Sequence, residues 1–155
     1  MLSVVADCAP VWDPRDPAQS RANPSTWQIS YNPILHLIDY ITEPDGGLGL
    51  EYETVIEPVL NAWMAEADLC DERVATASGG TEPRYTSNGW YQFDNEPKDV
   101  INAILATCDG WLAEAGDGTL AVKVGVYREP TVTLTQNEIF DFSLSYGQPD
   151  EQAVN

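Results

Sequence analysis

The chain has 155 residues, enough for one domain with a core of its own. Hydrophobic residues make up 43% of it and there are five Trp, a composition that excludes a disordered polymer. The 25 acidic residues against 7 basic ones leave a formal net charge of −18, which excludes binding through nucleic-acid phosphates or to an anionic membrane surface.

Residues 2–12 are short, apolar and β-branched and read as a strand. From Trp12-Asp13-Pro14-Arg15-Asp16-Pro17 to Pro24 the chain is a proline-punctuated loop. Trp12 and Trp27 flank this loop and are expected to pin it, since a buried Trp covers ~150–250 Å². Asn32-Pro33 starts the first helix: Asn caps, and Pro at the first helical position forfeits no hydrogen bond. Ile34, Leu35, Leu37, Ile38 and Ile41 then share one face, and Glu43-Pro44-Asp45-Gly46-Gly47 stops the helix.

A second helix is expected over about 58–71, with Val59, Leu60, Trp63, Met64, Ala67 and Cys70 as its apolar stripe. Glu66, Asp68, Asp71 and Glu72 fall mostly off that stripe. Ser78-Gly79-Gly80 is a turn, and residues 84–93, rich in Tyr, Thr, Trp and Phe, read as a strand. Asn88-Gly89 within it predicts a bulge or turn. A third helix covers about 96–108, burying Val100, Ile101, Ile104, Leu105 and Cys108. A hairpin then pairs 111–115 with 119–127 across Gly116-Asp117-Gly118, with Leu120, Val122, Val124 and Val126 alternating as one half-buried face. Residues 131–135 are β-prone, and Phe140, Phe142, Leu144 and Tyr146 alternate with polar residues as a last strand. The expected fold is therefore α+β: about three helices on a small antiparallel or mixed sheet, with a C-terminal hairpin, in a single domain over 1–155.

The search for chemistry returns little. His36, the one histidine, sits beside Leu35 and Leu37 and reads as a structural or surface residue, so no Ser–His–Asp site forms. Cys8, Cys70 and Cys108 are too few and too widely spaced for a disulfide framework or a zinc site. Buried free thiols are expected at Cys70 and Cys108, with a bridge between them as the alternative. Asp13, Asp16 and Asp45 offer at most an irregular oxygen site, and acidic pairs such as Asp71-Glu72 arise by number alone. Gly46-Gly47-Leu48-Gly49 lacks the Lys-Ser/Thr ending and the following helix of a phosphate loop. No cofactor, no metal and no enzymatic activity are expected. The N-terminus has no basic start and no apolar run approaches the ~20 residues of a membrane span, so synthesis in the cytoplasm is expected.

Five segments, in order, resemble one family: the tip-attachment or host-specificity proteins of lambda-like phage tails, with the related large tail protein of gene transfer agents. Trp12-Asp13-Pro14-Arg15, followed by Trp27 and by Asn32-Pro33, is similar to the family's YDPR and TWxYSxNPAL opening. Cys70-Asp71-Glu72 resembles its CDE segment. Gly80 to Gly89, including Glu82, Pro83, Arg84, Tyr85, Asn88 and Gly89, resembles GTEPRYTCNG with Ser87 in place of a common Cys. Residues 125–135 resemble GxYRxPTVTLT. The resemblance implies a structural part of a virion tail tip or baseplate hub, located in the particle and contributing to assembly, host attachment and DNA passage. It implies partners among the other domains of the same tail protein and neighbouring tail proteins, and a parent homotrimer of which this chain is one segment, itself possibly a monomer. It implies no sequence-specific nucleic-acid binding and no membrane contact. The family's proteins are much longer, so an excised domain or a short relative is expected. An acidic wall would let DNA pass by repulsion.

Two other readings compete. A stand-alone acidic binding protein, a DNA mimic or an inhibitor of a basic protein, would place carboxylates at phosphate-like spacing, whereas these are scattered among core residues. A glycan-degrading enzyme would need two carboxylates facing across a cleft ~5–10 Å wide, and no motif marks such a pair.

Overall fold

A computed structural model of the chain describes residues 9–135, 137, 138 and 141. Asn32 and Pro33 open helix α1 (Pro33–Thr42). The Asn32 Oδ1 accepts from the Ile34 amide at 3.0 Å, and Pro33 occupies the first helical position. Ile34, Leu35, Leu37, Ile38, Tyr40 and Ile41 are all buried, so α1 is apolar around most of its circumference. That distribution fits its place: it packs against both α3 (Leu60–Asp71) and α4 (Pro97–Ala106). Each fully buried Ile or Leu here contributes about 1.5–3 kcal/mol relative to an exposed one.

The glycine run after α1 is a helix stop. The Gly47 and Gly49 amides bond back to the Glu43 carbonyl, and those of Leu48 and Leu50 to Tyr40 and Ile41. A Cβ on Gly47 would lie 1.9 Å from the Tyr40 carbonyl oxygen, so no other residue fits that approach. A short helix, α2 (Tyr52–Val55), and a 3-10 turn over Glu57–Val59 then lead into α3, which starts two residues later than the sequence predicts.

The strands form three separate antiparallel pairs and no continuous sheet among the described residues. Strand β1 (Pro10–Val11) pairs with β2 (Gln28–Ile29). Strand β3 (Arg73–Ala75) pairs with β4 (Thr81–Pro83), with Val74 opposite Glu82. Strand β5 (Trp111–Glu114) pairs with β6 (Leu120–Lys123), with Leu112 opposite Val122. The last pair is the expected hairpin. Its turn is held by Asp117, whose Oδ1 accepts from the Thr119 amide at 3.0 Å and its hydroxyl at 2.7 Å, and by Gly118 at φ +84°. The α+β class stands, with three helices of ten residues or more.

Two expected strands do not form. Residues 84–93 and 131–135 carry no ladder. In the first, the Arg84, Tyr85 and Ser87 amides bond singly to the carbonyls of Glu72, Cys70 and Tyr31, so the segment is extended but belongs to no sheet. β-propensity records fit to a pleated, half-buried surface, and this segment lies against helices instead. Asn88-Gly89 is neither bulge nor turn: Gly89 has no positive φ and a Cβ there would meet nothing within 4 Å. The expected strand residues Phe140, Phe142, Leu144 and Tyr146, and Cys8 with the rest of 1–8, lie outside the described residues.

The chain divides into two units, Met1–Gly125 and Val126–Asn155. All the elements above belong to the first. In the second, the Glu138 carboxylate accepts from the Thr135 amide and hydroxyl, both at 2.8 Å, closing a local turn. No helix among the described residues is long and apolar enough to cross a membrane.

Candidate functional site

Most of the motif residues converge on one place, the C-terminal end of α3. Arg15 arrives from the loop after β1. Its Nε and Nη2 grip Asp13 at 2.9 and 2.8 Å, and its Nη1 reaches Asp68 at 2.8 Å while Nη2 reaches Asp71 at 2.9 Å. Asp68 and Asp71 lie in the last turn of α3, where the helix dipole disfavours negative charge, and Arg15 offsets both. Its bond to Asp13, against the cost of burial, together with those to Asp68 and Asp71, raises the guanidinium above its ordinary value. Burial alone would raise the Asp13 carboxyl, but the Arg15 side-chain and amide hydrogen bonds outweigh it and hold Asp13 below the usual carboxylate range. Asp68 and Asp71 are substantially exposed, so each pair contributes about 1 kcal/mol or less. The cluster sets where the loop sits more than it stabilises the fold.

Asn32 enters the same junction from the other side. Besides capping α1, its Nδ2 donates to the Ala67 carbonyl at 2.9 Å, in a buried bond that joins α1 to α3. Glu72 just past α3 accepts from Arg84 at 2.7 and 3.2 Å, and the Cys70 carbonyl accepts from the Tyr85 amide at 3.1 Å. The Tyr85 hydroxyl donates to the Gly125 carbonyl at 2.5 Å. Glu82 and Pro83 sit on β4, which holds Arg84 and Tyr85 in register with the end of α3. Pro14 belongs to the turn that presents Arg15.

The sequence assigned Glu66 to the polar side of this helix, and the structure corrects that. Glu66 is 2% exposed, and its carboxylate accepts from Lys123 Nζ at 2.7 Å and from the Val124 amide at 3.0 Å. It fastens α3 to β6 alongside Trp63, whose indole Nε1 donates to the Leu120 carbonyl at 2.7 Å. The signal was present: residues 63, 66, 67 and 70 are spaced for one helical face, and the acid was left off it only for being charged.

Cys70 and Cys108 are both fully buried and free, as expected. The Cys108 Sγ donates to the Leu105 carbonyl at 3.4 Å. The neighbouring Cys108 thiol, and then burial, hold the Cys70 thiol far above its ordinary value, so Cys70 stays protonated.

Trp12 and Trp27 do pin the proline loop. Trp12 meets Tyr52 edge-to-face at 5.5 Å, Arg21 stacks 4.2 Å above the same Tyr52 ring, and Trp27 Nε1 donates to the Ser20 carbonyl at 2.9 Å. Asp13 and Asp16 are committed to the loop itself, Asp16 Oδ1 accepting from the Ala18 amide at 2.9 Å.

Asn88 and Gly89 are not at the α3 junction. They line a groove of about 530 Å³ between α1 and α4, with His36, Asp39, Tyr40, Trp90 and Asp99 among its walls. His36 Nε2 bonds to the Ser30 carbonyl at 2.7 Å, and burial lowers its pKa, so the ring is neutral. Burial, and then the charge of Glu43, push the Asp39 carboxyl up to about 6.

Chemically, the junction is a set of ties: caps, ion pairs and backbone bonds. Among the described residues no three His, Cys, Asp or Glu side chains stand close enough to hold a metal ion.

No known protein-family profile matches the chain. It is 28% identical over 127 residues, 81% of its length, to the tip attachment protein J of Escherichia phage SECphi27. The matched stretch is 10% of that protein.

Proposed function

We propose that the chain is a structural segment of a phage tail tip, whose work is to hold geometry and whose partners are other tail-tip segments. The observation that carries this reading is the junction at the end of α3. Motif residues from four separated parts of the chain (13–15, 32, 70–72 and 84–85) meet there, and their contacts are those of caps, clamps and backbone anchors. A catalytic constellation spends its polar side chains on a cavity; these are spent on one another. The likeness to a tip attachment protein supports the same reading. In this proposal the chain is one hub segment of a longer polypeptide that assembles as a ring, and the role is mechanical and not enzymatic. Its strong negative charge then serves to keep passing DNA from adhering.

Immunogold labelling of purified particles, with antibody raised against residues 9–125, tests the proposal. Gold at the tail end distal to the capsid, with an immunoblot band in the particles well above 17.0 kDa, is the expected result. Particles that carry no label, with the antigen only in the host cytoplasm, would refute it and favour the free acidic binding protein.

A further inference from the structure

The groove between α1 and α4 is unlike the junction, because among the described residues no hydrogen bond or ion pair takes up its Asp39 and Asp99 carboxylates. One wall is the His36, Asp39 and Tyr40 face of α1 and the other the Asp99, Val100, Ala103 and Ile104 face of α4. The rim is the extended segment over 87–91. Its volume of about 530 Å³ lies within the range of ligand-sized pockets. Two aromatic side chains of this segment line the groove and are exposed: Trp90 at 83% and Tyr91 at 41%. Large exposed aromatics clustered beside a groove mark a contact surface more often than a solvated one. Tyr91 anchors the segment, its ring meeting Tyr40 edge-to-face at 5.2 Å.

The charge in the groove has one sign. Asp39 and Asp99 line it and no Lys or Arg does. Arg21 is engaged with Glu53 at 2.8 Å and with the Tyr52 ring, and Lys98, which precedes Asp99 in the chain, does not line the groove. Glu43 adds to the field at Asp39, and Asp39 with Glu43 raises the Tyr91 hydroxyl in addition to burial. The two carboxylates and the exposed Trp90 ring favour a cationic side chain flat enough to lie on an indole.

We propose that this groove is the docking site for an arginine carried by a neighbouring protein, its guanidinium stacked on Trp90 and paired with Asp39 and Asp99. Guanidinium is planar and weakly hydrated, and it offers several N–H donors in a fixed fork, so it meets an aromatic face and two carboxylates at once. Lysine, a strongly hydrated point charge, meets the carboxylates but gains less from the ring. That the neighbour is another tail protein rests on the function proposed above; the chemistry of the groove does not.

The test uses the full chain labelled with ¹⁵N and a blocked pentapeptide, acetyl-Gly-Gly-Arg-Gly-Gly-amide, titrated by amide and indole chemical shifts. The Trp90 indole and the amides over 87–91 and 97–104 should shift together and saturate. The citrulline peptide, which removes only the charge, should bind at least ~tenfold more weakly, since one charge-assisted bond is worth about that factor. Trp90→Ala and Asp99→Asn, both at exposed positions and so tolerated by the fold, should each weaken the arginine peptide by a similar factor while the remaining spectrum stays unchanged. Shifts spread over the whole acidic surface, or equal for the citrulline peptide, would overturn the proposal. So would saturable binding of chitotriose in the groove with none of the arginine peptide, which would make it a glycan site. Particles labelled at the tail tip with no arginine binding would sink the groove alone. Arginine binding with unlabelled particles would keep the groove and move its partner outside the tail.

Discussion

Replacing Glu66 by alanine should cost this protein a large part of its stability, and the structure says how much. The carboxylate is the acceptor for the buried Val124 amide at 3.0 Å, and losing that buried hydrogen bond costs about 1–3 kcal/mol. Losing the packed part of the side chain adds about 1 kcal/mol. Lys123 loses its 2.7 Å partner as well, but its side chain is 39% exposed and water replaces most of that bond. The total is about 2–4 kcal/mol, or a fall in Tm of about 5–15 °C for a chain of this size. Glu66→Gln keeps an acceptor and the volume and loses only the ionic part, so its cost should be about 1 kcal/mol. Urea unfolding followed by tryptophan fluorescence measures both, since Trp63 lies on the same face of α3. The expected order is wild type, then Glu66→Gln, then Glu66→Ala. A Glu66→Ala chain within about 0.5 kcal/mol of wild type would show that α3 does not hold β6 through this residue. Equal losses in the two variants would show that charge, and not acceptance of the amide, carries the effect.

Three further outcomes follow from other parts of the fold. Asp39 has a folded-state pKa of about 6, above its ordinary 3.8, so ionising it opposes folding and its contribution falls as pH rises between those values. The gap equals about 3 kcal/mol, and partial exposure reduces it to about 1–2 kcal/mol. Asp39→Asn should therefore raise stability by that amount at pH 7.5 and by nothing at pH 3.5, and a pH-independent difference would contradict the burial argument. Asn32→Ala removes both the α1 cap and the bond to the Ala67 carbonyl, a loss of about 2–3 kcal/mol by thermal unfolding, of which Asn32→Ser, which caps only, should recover about 1 kcal/mol. Cys70 and Cys108 should resist iodoacetamide in native buffer and become alkylated only as urea unfolds the chain. Peptide mass spectrometry at the two positions checks this, and fast native labelling would deny their burial.

The helices were readable because each is set by local devices. Asn32-Pro33 starts α1 and the residues that follow share the spacing of one face; the same is true of Pro97 and Val100 to Leu105 in α4. The hairpin at 111–123 was readable for the same reason, from alternation and a Gly-Asp-Gly turn. What failed depended on distant neighbours. Residues 84–93 have strand composition, but β3 pairs only as far as Pro83, and the aromatics beyond it border a groove between helices. Glu66 looked like solvent-facing charge because its partners, Lys123 and Val124, lie far along the chain. The junction residues could be found by resemblance, yet their roles could not. Nothing local in Asp13-Pro14-Arg15 says that the arginine closes on Asp68 and Asp71, 53 residues or more away.

That reliance on distant partners has a consequence for synthesis. α3 is complete once Asp71 is made, yet the groups that receive Trp63 and Glu66 sit at Leu120 to Val124, about 50 residues later. At a translation rate of about 5–20 residues per second the ribosome holds α3 half-covered for about 3–10 s. Through that interval the Trp63 indole N–H lacks its native carbonyl acceptor. A chain that stalls before Leu120 therefore lacks the carbonyl that accepts the Trp63 indole N–H, the contact that ties α3 to β6.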